Sequence, residues 1–232
     1  MTFYHCDYIR SLVPSNIPLR CVPDCAWWPD FPTASGEPVW HQAMAKMTAL
    51  HNASGGFDAS CVAAHRVEDG ADPSYCAHPP NVLPYITTPT FISTAHQDTD
   101  ATSVSALADG AGDGFNHPRT PPPSWPKEDQ DNLAPCFEAD YTKCTTSSGL
   151  LGAFFKNWTD TITRMLAPAT ASKDHGYFVN RCYRHHNIDG TYTFETKINN
   201  VSLIESIGDW VHGGGGSTTK LIDARVPTVD CT

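Results

Sequence analysis

Two groups capable of proton chemistry stand directly after apolar runs. Gly176-Tyr-Phe-Val-Asn-Arg-Cys-Tyr-Arg-His-His186 ends in His185 and His186, and Pro89-Thr-Phe-Ile-Ser-Thr-Ala-His-Gln-Asp98 ends in Asp98. Each reads as a buried strand delivering its last residues to the C-terminal edge of a sheet, where open α/β sheets assemble their sites. A carboxylate beside an imidazole fixes the ring's tautomer and steadies its charged form. The ring can then take a proton from a nucleophile and return it to a leaving group. Asp98 before His185 is the order of acid and histidine in one class of acyl-transfer triads, in which the nucleophile precedes both. No Gly-x-Ser-x-Gly, the elbow that presents such a serine, occurs in the sequence.

Other constellations carry less. His212-Gly-Gly-Gly-Gly216 has the composition of an oxyanion loop, whose backbone N–H groups point at developing negative charge. It follows the histidine instead of preceding the nucleophile, so it reads as a helix stop and surface loop. His185, His186, Asp189 and the cysteines are the metal-ligating types, and Cys21 and Cys25 have a compatible spacing. Zinc sites show paired ligands in two clusters, and no second cluster accompanies these, so neither a metal nor a cofactor is expected.

The elements that must hold Asp98 and His185 follow from periodicity. Phe3 to Leu12 reads as a helix with Phe3, Tyr8, Ile9 and Leu12 on one face. Leu19 to Trp28 reads as a buried strand passing into a loop, with Asp24 placed to cap or position a neighbouring element and Trp27 and Trp28 read as core in preference to lining a substrate cleft. Glu37 to Asn52 is a helix presenting Val39, Ala43, Met47 and Leu50, and Ala101 to Ala108 is a further helix beyond the acid. Gly110 to Asp131, rich in glycine and proline, reads as an extended surface excursion. Gly149 to Leu166 is the clearest helix, with Leu151, Phe154, Phe155, Trp158, Ile162 and Leu166 at helical spacing and Pro168 closing it. A last helix runs from about Asn200 to Val211.

With 232 residues, 40% of them hydrophobic, the chain can bury a substantial core and is read as one domain, 1–232. No apolar run approaches bilayer-spanning length, so no membrane partner is expected. A formal charge of -10 leaves no basic footprint for phosphate, which excludes nucleic acid as the expected partner. Nine cysteines and the sequons at Asn52, Asn157 and Asn200 point to an oxidising, secretory compartment. The first residues lack a basic n-region and an apolar h-region, so the expectation is that Met1 is not the native N-terminus.

In type and order, the residues His5-Cys-Asp-Tyr, Val13-Pro, Arg20-Cys21-Val-Pro-Asp24, Trp27-Trp28, Asp30 and Ser35-Gly36 resemble the pectin acetylesterases, which share a family with the Notum-type carboxylesterases. The likeness continues through Asp72-Pro-Ser-Tyr-Cys76, Pro89-Thr-Phe-Ile, Ala95 to Asp98, Phe178-Val-Asn-Arg-Cys182-Tyr-Arg-His185 and Gly208-Asp-Trp210. It implies a partial α/β-hydrolase-like fold lacking its N-terminal strands. It also implies Asp98 as the triad acid and His185 as its base, with His186 a neighbour. The family's Gly-x-Ser-Ala-Gly-Gly elbow would fall upstream of Met1. The implied reaction is release of acetyl from pectin, an acylated cell-wall polysaccharide, outside the cell. The 232 residues by themselves are expected to be inactive. The alternatives are a non-catalytic secreted glycoprotein, a carbohydrate-binding remnant of the fold, or a Notum-like protein O-deacylase. Cys6 and Cys21 can face each other across a turn and match cysteines of the family pattern. Cys61 with Cys76 and Cys136 with Cys144 close local loops, and Cys182 with Cys231 ties down the chain's end. Cys25 is left over, where the family has a small residue.

Overall fold

The structure is a computed structural model, and it describes residues 2–65, 72–98, 125–131, 149–188, 190–213 and 216–225. The expected Ala101 to Ala108 helix, most of the Gly110 to Asp131 excursion, Asp189, Cys136, Cys144 and Cys231 lie outside these residues.

A three-stranded parallel sheet forms the centre, in the order β1 (Phe91–Gln97), β2 (Gly176–Tyr183), β5 (Lys220–Ile222). The register sets Ile92 beside Tyr177 and Ser93 beside Phe178, and then Phe178 beside Leu221. Every residue of β1 is buried, as is all of β2 except Arg181. Parallel strands covered on both faces need continuous apolar runs, which is why these two stretches stood out in the sequence.

The pleat divides the core. Ile92, Tyr177 and Val179 face one side and pack with Leu151, Phe154, Phe155, Trp158 and Ile162 of the long helix Leu150–Met165. Phe91, Phe178 and Leu221 face the other side and pack with Leu203 and Trp210 of the helix Leu203–Val211. Full burial of a side chain such as Leu151 or Phe155 contributes about 1.5–3 kcal/mol. Gly176 sits where β2 enters this packing. A Cβ there would lie 2.6 Å from the Phe91 ring and 2.9 Å from the Thr219 carbonyl, so only glycine fits.

Several elements differ from the sequence reading. Leu19 to Trp28 is not a continuous strand; it meets the free edge of β1 through two parallel bridges, Cys21 with Thr90 and Asp24 with Ser93. Pro23 between them has no N–H to give a ladder, though its carbonyl accepts from Ser93 N at 3.1 Å. In α1 (Thr2–Leu12) the buried residues are Phe3 and Cys6, while Tyr8, Ile9 and Leu12 are exposed. In α2 (Val39–His51) Thr48 alone is buried, and Leu50 faces outward. Residues 127–131 are helical, just past the last proline of the excursion. Pro168 opens a new short helix, Ala167–Ala171, as well as ending the long one. The last helix begins at Leu203, because Asn199 and Asn200 take positive φ in the turn of a two-residue ladder, β3 (Lys197–Ile198) with β4 (Val201–Ser202). Ser202 and Glu205 then close a capping box.

Two disulfides join Cys6 to Cys21 and Cys61 to Cys76, with Cα atoms 6.3 and 6.0 Å apart, as expected. Cys182 is also disulfide-bonded, and its expected partner Cys231 is outside the described residues. Cys25 is a free, buried thiol. The asparagines of all three sequons are exposed. Among the described residues no helix is long and apolar enough to cross a membrane.

Candidate active site

Adjacent parallel strands bring Asp98 and His185 to the same sheet edge. Asp98 follows the last residue of β1 directly and His185 stands two residues past β2. The Nδ1–H of His185 donates to the Asp98 carboxylate, with Oδ1 at 3.0 Å and Oδ2 at 2.9 Å. Asp98 is 2% exposed, whereas the His185 side chain is 23% exposed and lines an open cleft. Nδ1 is thereby committed to the carboxylate, and Nε2 is the nitrogen with proton-exchange chemistry to offer. His186 takes the left-handed conformation, φ 72°, and its ring lies 4.0 Å from that of His185, as a neighbour.

A polar network behind the pair shapes the turn after β2. The Asp24 carboxylate accepts N–H bonds from Asn187 at 3.0 Å and Ile188 at 3.0 Å, and the Ser93 hydroxyl at 2.8 Å. Asn187 in turn donates to Ser93 Oγ at 3.2 Å and accepts from Asn180 Nδ2 at 2.8 Å. The positioning role read for Asp24 is therefore realised on the histidine loop. Ser93, Asn180 and Asn187 were missed, although an asparagine inside an otherwise apolar strand was a usable signal.

Cys25 lies beside the pair. Its Sγ, a ring nitrogen of His185 and a carboxylate oxygen of Asp98 all fall within 4.8 Å of one another. Burial pushes its thiol well above the ordinary range, and the charges of Asp98 and Asp24 push it further, against backbone N–H groups of His186 and Asn187 that favour the thiolate. The result is a neutral thiol, which is a poor nucleophile.

The cleft has a volume of about 690 Å³ and is walled by Phe3, Trp28, Trp40, Met44 and Met47 as well as His185 and Cys25. The tryptophan pair thus divides: Trp27 is core, 5.6 Å from Phe3, and Trp28 lines the cleft. His212-Gly213 and Gly216 lie beyond the last helix, and Gly213 takes φ 79°, as expected of a helix stop.

The same chain architecture occurs in the Wnt deacylase Notum from Drosophila, with a TM-score of 0.65 over 97% of this chain and 52% of that one, at 15% identity. Pectin acetylesterase 5 of Arabidopsis thaliana is 26% identical over 235 residues, and pectin acetylesterase 4 of the same plant is 25% identical over 229. These alignments cover 96% and 97% of this chain but 47% and 49% of the relatives, so the chain spans about half the length of the proteins it matches. The family model described as Pectinacetylesterase matches residues 1–232. By that match the chain belongs to the pectinacetylesterase family.

Proposed function

We propose that this chain carries the acid and base of a serine ester hydrolase, with Asp98 and His185 acting on a serine supplied by sequence outside these 232 residues. The observation that carries the reading is the 2.9 Å contact between a buried carboxylate and a cleft-lining imidazole at the ends of adjacent parallel strands. In that role Nε2 of His185 takes the serine proton as the oxygen attacks the ester carbonyl, and later gives it to the leaving alkoxide. Asp98 holds the tautomer and steadies the imidazolium in between. No cofactor enters these steps. The proposed substrate is an acetyl ester of pectin in the cell wall, supported by the family. Secretion is supported by the disulfides and the exposed sequons.

The test is acetate release from acetylated pectin by the full gene product and by its His185→Ala variant. The reading requires turnover in the first and its loss in the second. The 232 residues alone should turn over no ester at an enzymatic rate, because the roughly 10³ to 10⁴-fold catalysis that survives loss of a triad member depends on an oxyanion hole. Saturable cleavage of p-nitrophenyl acetate by those residues, lost on His185→Ala, would send the search for a nucleophile back among their own serines.

The cleft favours a second reading. At about 690 Å³ and with mostly apolar walls, it is of a size that holds a drug-sized ligand, more than an acetyl group fills. A long-chain acyl ester is the substrate such a cleft would fit. Faster release of a fatty acyl group than of acetyl would favour this reading and sink the pectin assignment.

A further inference from the structure

Away from the Asp98–His185 pair, three ligand-type residues from three segments converge. Asp30 comes from the loop after Trp28, His41 from the first turn of α2, and His78 from the step between Ala77 and Pro79. One ligand atom from each lies within 4.8 Å of the other two. His41 Nδ1 is 2.8 Å from Asp30 Oδ2, His78 Nε2 is 3.9 Å from Asp30 Oδ1, and the two imidazoles are near parallel, 9° apart.

His78 makes the cluster more than an ion pair. Its side chain is 1% exposed, and neither ring nitrogen has a hydrogen-bond partner. A buried imidazole with both nitrogens unsatisfied is costly, and buried polar atoms normally find a partner. The nitrogen that faces Asp30 is aimed into the gap between the three residues. Zinc bonds of about 2.0–2.2 Å would place tetrahedral ligand atoms roughly 3.3–3.6 Å apart, between the separations seen here. Small side-chain shifts therefore convert the arrangement into a coordination shell, with water in the fourth position. The donor set, two imidazoles and a carboxylate, suits a divalent ion of borderline softness and not calcium or magnesium.

We propose that Asp30, His41 and His78 bind a zinc-class divalent cation. Trp28, Trp40, Ala77 and Pro79, each one or two residues from a ligand, all line the cleft. The ion would therefore clamp together three segments of the cleft wall. The competing occupant is a buried water bonded to His78, which would satisfy the ring without selecting a metal.

The experiment is metal content of purified protein after exposure to zinc chloride and dialysis, read with thermal unfolding. Wild type should retain a single zinc per chain. So should His185→Ala, which disables the second cluster of ligand types among the described residues, formed with Cys25 and Asp98. His41→Ala should lose it. Zinc at a hundredfold excess over its Kd should raise the wild-type midpoint by roughly 5–10 °C and leave that of His41→Ala unmoved. His41 is partly exposed, so its truncation spares the core, and circular dichroism checks the fold. The proposal falls if wild type retains no zinc, if His41→Ala retains as much as wild type, or if the metal is lost in His185→Ala instead.

Discussion

The Nδ1 of His185 lies 2.9 Å from a carboxylate oxygen of Asp98, 87 residues earlier in the chain. Parallel pairing of β1 with β2 is what closes the distance, since Asp98 and His185 leave neighbouring strands in the same direction. If the carboxylate orients the ring for catalysis, Asp98→Asn in the full gene product should lower kcat by roughly 10⁴ through the wrong tautomer. Its thermal midpoint should stay near wild type. Wild-type kcat in a folded Asp98→Asn protein would remove Asp98 from the mechanism.

Asp24 should matter to stability as well as to the site. Asp24→Ala strands the N–H groups of Asn187 and Ile188 and the Ser93 hydroxyl, all now bonded to its carboxylate. Hydrogen bonds to a charged group are worth about 1.5–3 kcal/mol each, and partial rehydration of the loop leaves an expected net loss of about 2–3 kcal/mol in denaturant unfolding. Asp24→Asn, which keeps an acceptor, should recover part of it. An unchanged unfolding midpoint for Asp24→Ala would mean that the loop is held by other contacts.

Cys25 should be silent until the chain unfolds. It is buried, and burial together with Asp98 and Asp24 raises its thiol, so thiolate is scarce at neutral pH. Without reductant, a maleimide should label native protein slowly and unfolded protein at Cys25 alone. Rapid native labelling would contradict the burial of Cys25, and two or more labelled cysteines after unfolding would contradict the disulfide assignments.

Acid should loosen the fold through buried histidines. Burial lowers the pKa of His96, despite help from Asp223, and burial likewise lowers that of His175. His175 Nδ1 accepts the Thr90 N–H at 3.2 Å, a bond that a proton on Nδ1 abolishes. With folded values below the unfolded value of about 6.5, the unfolded chain binds more protons in that interval. Their stabilising effect is intact above about pH 6.5 and declines as pH falls toward the folded values. Thermal midpoints measured from pH 7.5 to 5.5 should fall, and fall less in His175→Gln. A midpoint that rises over this range would contradict the assignment.

The contact between Asp98 and His185 in the candidate site was legible because each ends an apolar run, and a buried parallel strand leaves no other trace so plain in sequence. The long helix was legible by its periodicity, with Leu151, Phe154, Phe155, Trp158 and Ile162 recurring at helical spacing. What surrounds them was not. Periodicity put Phe3, Tyr8, Ile9 and Leu12 on one face of α1; Phe3 is buried, but packing against Trp27 and the disulfide to Cys21 turn Phe3 and Cys6 inward and leave the other three exposed. The cap on Leu150–Met165 comes from Asp129, whose carboxylate accepts Leu150 N–H at 2.8 Å from 21 residues away. Its fit depends on Gly149, where a Cβ would meet that carboxylate at 2.2 Å. Neither relationship has a local sequence signature. The same holds for Asp30, His41 and His78, which only the fold brings together.

The central claim is that His185 is the base of an ester hydrolase, and acetate release from acetylated pectin measures it most directly. The full gene product should release acetate with saturation kinetics. His185→Ala, folded by circular dichroism, should lose that activity by a factor on the order of 10³ or more. A His185→Ala protein that releases acetate at the wild-type rate would contradict the account.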